Sequence, residues 1–167
     1  RLVMIGDGPE RDRLERIIAD HHLESCVSLL GQVPQAEVGQ WMRKAEIFAF
    51  PSIRELGAGV VIEAMACGMA PVVVDYGAPA DLVRPGCGVK IPLGTSEALV
   101  DRFTIELEQL VNQPHQIKAY GEAAHHHAIA YYAWEAKARQ VLKIYEQLTI
   151  DQCFQPDSLN LPLIAKC

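Results

Sequence analysis

Two short runs near the middle of the chain restrict its fold more than any other feature. Ile47-Phe48-Ala49-Phe50 and Val72-Val73-Val74 are apolar at every position. Successive side chains of a strand point to opposite faces, so a strand without alternation has to be covered on both sides. Such runs belong to a parallel sheet flanked by helices. The same organisation extends upstream. Leu2 to Ile5 is a short apolar run stopped by Gly6-Asp7-Gly8-Pro9, and Leu14, Ile17 and Ile18 then recur at helical spacing through about His21. Val27 to Leu30 predicts a second strand, ended by Gly31-Gln32-Val33-Pro34, and a helix from about Ala36 to Lys44 leads into Ile47.

Downstream, the pattern predicts a helix from about Gly59 to Ala66, a strand from Val72 to Asp75, a loop over Tyr76-Gly77-Ala78-Pro79 and a short strand from Gly88 to Ile91. Thr95, Ser96 and Glu97 open a long helix that Pro114 ends, and helices follow over about His115 to His127 and Trp134 to Leu148. Strand and helix alternating through the first 95 residues predict one α/β domain, a Rossmann-like open parallel sheet with helices on both faces and right-handed crossovers. A chain of 167 residues suits a single domain, here residues 1–148, with 149–167 as an irregular tail.

Charge and cysteine content exclude several classes. Fifteen basic against 21 acidic residues leave a net charge of -6, the wrong sign for a nucleic-acid surface. Cys26, Cys67, Cys87, Cys153 and Cys167 form no C-x-x-C pair, which favours free thiols over disulfides or a zinc site. His125-His126-His127 is consecutive, so its side chains diverge around a helix and cannot share one metal; an exposed face is expected there. Gly6-x-Gly8 lacks the third glycine of a dinucleotide fingerprint.

In an open α/β sheet, ligands bind at the carboxyl ends of the strands. The loops after Ile5, Leu30, Phe50 and Asp75 should share that rim. The third is the most distinctive. Glu55 precedes Gly57, Ala58 and Gly59 at a helix start, where free N–H groups and the helix dipole suit a phosphate. An ordinary flexible loop fits the glycines alone. Glu63, however, interrupts an apolar helix, and a charge there needs hydrogen-bond donors such as sugar hydroxyls.

Glu55, seven residues, then Glu63 followed by Ala64-Met65-Ala66-Cys67-Gly68 and a β-branched strand resembles the signature of retaining GT-B glycosyltransferases, the large family that includes sucrose synthase. Gly6-Asp7-Gly8-Pro9-Glu10-Arg11, Gly31-Gln32-Val33-Pro34 and Ala45-Glu46-Ile47 running into Pro51-Ser52 resemble that family's carboxy-terminal domain in the same order. The resemblance implies one half of a GT-B fold that binds a nucleotide diphosphate sugar and transfers its hexose with retention of configuration. It implies that Glu63 accepts from the ribose, that Glu55 contacts the transferred sugar beside the reacting carbon, and that Gly57, Ala58 and Gly59 hold the distal phosphate. Gln32 and Val33 would meet the base, Val60 the ribose, and Gly6 would stand on the same rim.

Neither cofactor nor metal is implied. The implied partners are the nucleotide-sugar donor, a glycan or lipid acceptor and the protein's own N-terminal domain. A preceding strand and its loop, carrying an Arg and a Lys, are expected before Arg1, and a cytoplasmic location, with peripheral attachment to the inner face of a membrane left open. Leu56, Gly57 and Ala58 depart from the Glu-Gly-Phe-Gly that members often show. Two other readings remain open: a nucleotide-sugar epimerase of similar fold, and a non-catalytic nucleotide-sugar-binding or assembly module.

Overall fold

A computed structural model describes residues 1–152. Five short parallel strands alternate with helices: β1 (Leu2–Met4), α1 (Arg11–Asp20), β2 (Val27–Leu29), α2 (Gln35–Met42), β3 (Ile47–Phe50), α3 (Gly59–Ala66), β4 (Ala70–Val74), α4 (Gly77–Leu82) and β5 (Val89–Ile91). Three longer helices follow, α5 (Ser96–Val111), α6 (Pro114–Tyr132) and α7 (Trp134–Gln152).

β4 is buried along its whole length, as the Val72–Val74 run requires. Val73 points to one face, where it meets Val61 and Met65 of α3 and Ala124 and Ala128 of α6. Val72 and Val74 point to the other and pack with Ile91, Phe103, Leu110 and Ile117. Helices thus cover both faces, and the strand needs no polar side.

The strands form two ladders rather than the one continuous sheet expected. β1 pairs with β2, and β3-β4-β5 form the other, all parallel. β1 and β3 each hydrogen-bond on one side only. The β1–α1–β2 unit is also the less buried one: α1 has no buried residue, and Leu2 and Met4 are exposed although their strand is apolar. A cavity of about 340 Å³ opens beside it, lined by Met4, Ile5, Leu14 and Leu29 under the turn at Gly6.

Three local expectations change. Tyr76 to Pro79 was expected as a loop, but Gly77 begins α4, with Pro79 in the first turn. Pro is tolerated there because the first N–H groups of a helix have no internal partner. α6 starts at Pro114 for the same reason and runs to Tyr132, past His127. α7 continues to Gln152, beyond Leu148; the remainder of the expected tail, with Cys153 and Cys167, lies outside the described residues. Cys26, Cys67 and Cys87 are free thiols, and only Cys87 is buried.

The histidine run is exposed at His125 and His126, as expected, but not at His127. His127 is 7% exposed, against Tyr131 and Tyr132, and its Nε2 has no hydrogen-bond partner among the described residues. His125 donates from Nδ1 to the Ala66 carbonyl at 2.7 Å, tying α6 to the end of α3. Three consecutive helical residues span about 200° of the helix circumference, so one of them meets the core.

Candidate functional site

The chain turns from β3 into α3 through Pro51 to Ala58, and Ala58 is the helix N-cap. It is left-handed, with φ 46° and ψ 40°, a conformation that costs a non-glycine residue about 1 kcal/mol. Its methyl is buried with Val61, Val83 and Cys87, which holds the residue in place. The sequence suggested a cradle of three open small residues. Instead Ala58 faces the core, while Gly57 and Gly59 face solvent.

Among the described residues no side chain caps α3, and Ala58 O accepts from Val61 N–H at 2.9 Å. Among the described residues, the N–H groups of Ala58, Gly59 and Val60 donate to no backbone or side-chain acceptor. A left-handed residue followed by a helical one turns successive N–H groups toward one point, an anion-binding concavity, and the helix dipole adds positive potential. A Cβ at Gly57 or Gly59 would meet nothing within 4 Å, and neither glycine has a left-handed φ. Protein packing therefore does not require glycine at either position.

Glu63 lies one turn beyond Gly59, on the same side of α3. It is exposed, so the expected burial of its charge does not occur: Val61, Ala64 and Met65 take the core face and leave position 63 on the rim. Oε1 accepts from Gln35 Nε2 at 3.3 Å. Glu55 is exposed as well, and its Oε1 accepts from Ser52 Oγ at 3.2 Å. Neither glutamate forms an ion pair among the described residues. Both carboxylates are thus steadied by one neutral donor and keep acceptor capacity for hydroxyl groups. Val60 is half-buried, packed against Met42, Ala64 and Met69.

The loops after β1 and β2 are tied together, since Gly6 N–H donates to Gly31 O at 2.8 Å. Gly31 is buried at φ +70°, and a Cβ there would stand 3.2 Å from Arg11 Nη1. Gln32 beyond it is exposed and Val33 half-buried. Gln35, at the start of α2, carries this loop to Glu63. The cavity under Gly6 includes no residue of the Glu55–Glu63 segment, so the cavity and the two carboxylates are separate features. Among the described residues, no group of three or more His, Cys, Asp or Glu side chains is placed to hold a metal ion.

Gln35 and Ser52 are the residues that reasoning from the sequence did not single out. Ser52 stood three positions before Glu55 and was within reach of a local reading. Gln35 bonds across a separation of 28 residues and carried no such signal.

Residues 1–124 match the family described as Glycosyl transferases group 1. The chain belongs to that family. This glycosyl transferase chain is 30% identical over 150 residues to the phosphatidyl-myo-inositol mannosyltransferase of Mycobacterium leprae, covering 87% of this chain and 37% of that protein. It is 32% identical over 146 residues to the D-inositol 3-phosphate glycosyltransferase of Corynebacterium jeikeium, covering 84% and 33%.

Among solved structures it superposes on sucrose-phosphate synthase from Thermosynechococcus elongatus with a TM-score of 0.69 at 25% identity, over 89% of this chain and 38% of that one. The pneumococcal O-GlcNAc transferase GtfA, solved with UDP and GlcNAc, gives 0.72 at 20% identity over 87% and 29%, a likeness of fold. The architecture is therefore the expected α/β half of a GT-B fold. The chain spans between 31% and 39% of the length of the curated relatives it matches. No described helix is long and apolar enough to cross a membrane.

Proposed function

We propose that this glycosyl transferase domain binds a nucleotide diphosphate sugar and, together with an N-terminal domain, transfers the hexose to a glycan or lipid acceptor with retention of configuration. The observation that carries the reading is the α3 N-terminus: three unpartnered N–H groups behind open glycines, with Glu55 before them and Glu63 one turn on. The N–H groups of Ala58, Gly59 and Val60, with Gly57 leaving room, receive the distal phosphate. Negative charge grows on that phosphate as the sugar departs, and donors fixed before the reaction stabilise it without reorganising.

Glu63 accepts from the ribose hydroxyls and Glu55 from hydroxyls of the transferred sugar, beside the reacting carbon. Gln32 and Val33 line the base, Val60 backs the ribose, and Gly6 holds the neighbouring loop in register. Protein donors do the neutralising, and the reading calls for no metal. In support, a structural neighbour was solved with UDP and glucose, and a relative is named GDP-mannose-dependent.

The two ladders fit the same proposal. A doubly wound sheet runs outward in both directions from a central strand, and its ligand sits where the direction reverses. β2-β1 and β3-β4-β5 are the two wings, and a parallel strand preceding β1 in the longer polypeptide fills the place between them. Its loop then reaches the diphosphate. The complete enzyme works in the cytoplasm, at the inner face of a membrane where its acceptor is a lipid.

In the full-length protein, Glu55→Gln and Glu63→Gln each cut transfer at least about 100-fold. Glu63→Gln acts mainly through donor KM and Glu55→Gln mainly through kcat. Undiminished transfer in both variants would remove the two glutamates from the chemistry, wild-type binding of donor without transfer would leave only a binding or assembly module, and donor epimerisation without acceptor would indicate a different enzyme.

A further inference from the structure

The hydrogen bond on Glu63 comes from a different loop and helix. Gln35 is the first residue of α2, directly after Pro34 and the loop that carries Gln32 and Val33. Its position does not depend on its own flexible side chain alone. Met42 of α2 is buried with Ala64 and Met69, and Val38 and Val60 pack against them, which fixes α2 against α3. From that base, Nε2 reaches Glu63 Oε1 at 3.3 Å.

A carboxylate offers about four lone-pair sites on two oxygens. A neutral amide occupies one of them, selects one orientation of the carboxyl group and leaves its charge in place, with Oε2 free for an incoming hydroxyl. A cation at the same point would compete with that hydroxyl more strongly. Gln35 touches no reacting atom.

We infer that Gln35 is a positioning residue: by holding one oxygen of Glu63 it sets the other against the ribose, and so sets the preference of this domain for ribonucleotides over 2′-deoxyribonucleotides. The inference rests on the reading of Glu63 as the ribose acceptor. A merely structural Gln35 would weaken every ligand alike, whereas a positioning Gln35 affects only ligands that have the hydroxyl.

The test is calorimetric titration of the full-length protein, at fixed salt, with UDP and GDP and with their 2′-deoxy counterparts. Gln35→Ala is expected to reduce the ratio of ribo to deoxy affinity about 5-fold, the size of one net hydrogen bond, with deoxy affinity unchanged. Gln35→Glu, which keeps the shape but replaces the donor with a second carboxylate, reduces it further. In turnover, donor KM rises and kcat stays. An unchanged ratio in Gln35→Ala and Gln35→Glu, or equal weakening of both sugar types, overturns the inference while the site reading stands. A wild-type protein that binds none of UDP, GDP, ADP and CDP overturns the site reading and the inference with it.

Discussion

Placing a glutamate at position 59 separates the fold from the ligand, because the two respond in opposite directions. Gly59 is exposed at the start of α3, has an ordinary φ, and has no atom within 4 Å of where its Cβ would stand. Glutamate is a better helix former than glycine by about 0.5 kcal/mol, and a negative charge in the first turn adds about as much through the helix dipole. Gly59→Glu is therefore expected to stabilise the domain by about 1 kcal/mol, read as a higher urea midpoint at unchanged slope.

Helical side chains lean toward the N-terminus, so the new carboxylate stands in front of the free N–H groups of Ala58, Gly59 and Val60. Two unit charges about 4 Å apart near a protein surface repel by about 4 kcal/mol, and physiological salt reduces this to about 2.5. Calorimetry with UDP and GDP should then show binding weakened roughly 50- to 100-fold. A variant that binds nucleoside diphosphates like wild type would refute the placement of the phosphate. One that loses stability would refute the claim that this helix end is open.

Gly121 is the contrasting case. It lies buried in α6, and a Cβ there would run into the carbonyl oxygen of Gly68 and stand 3.2 Å from its carbonyl carbon. Gly121→Ala is expected to cost about 2–3 kcal/mol in urea unfolding by forcing α6 off the end of α3; a loss below about 0.5 would show that this contact yields freely. His127 predicts a pH effect. Burial, and after it the charge of Arg84, holds its imidazole below the usual value of 6.5. The unfolded chain then takes up its proton at higher pH than the folded one, so stability is complete above about pH 7 and falls as pH drops through 6.5 toward the lower folded value. His127→Phe keeps a ring against Tyr131 and Tyr132 and should flatten the decline between about pH 7 and pH 5.5; an unaltered slope would remove His127 as its source.

The sequence alone made the strands legible where burial on both faces forbids alternation. The valines of β4 identify themselves because a strand buried on both faces accepts consecutive apolar side chains, whereas Ile47–Phe50 carries the same pattern and forms its strand but is only half-buried, with Ala49 exposed. Thr95 is legible for a local reason too, since its hydroxyl accepts from Ala98 N–H and caps α5 as its position before Ser96 and Glu97 implies. α4 was missed because Gly77 and Pro79 read as turn residues, whereas a helix's first turn places no demand on the donor that Pro79 lacks.

The candidate site divides along the same line. That Glu55, Gly57, Ala58, Gly59 and Glu63 lie together was visible in the sequence, because a short turn and one helical turn place them there whatever the rest of the chain does. What only the tertiary structure decided is which way each of them faces. α6 and β4 claim the methyl of Ala58 and the Val61–Met65 face of α3, so Ala58 turns inward and Glu63 is left on the rim. α2, docked through Met42, brings Gln35 to that carboxylate. Spacing along a chain fixes neighbours, but orientation and long-range partners come from competition for the core, and that competition exists only once the helices have packed.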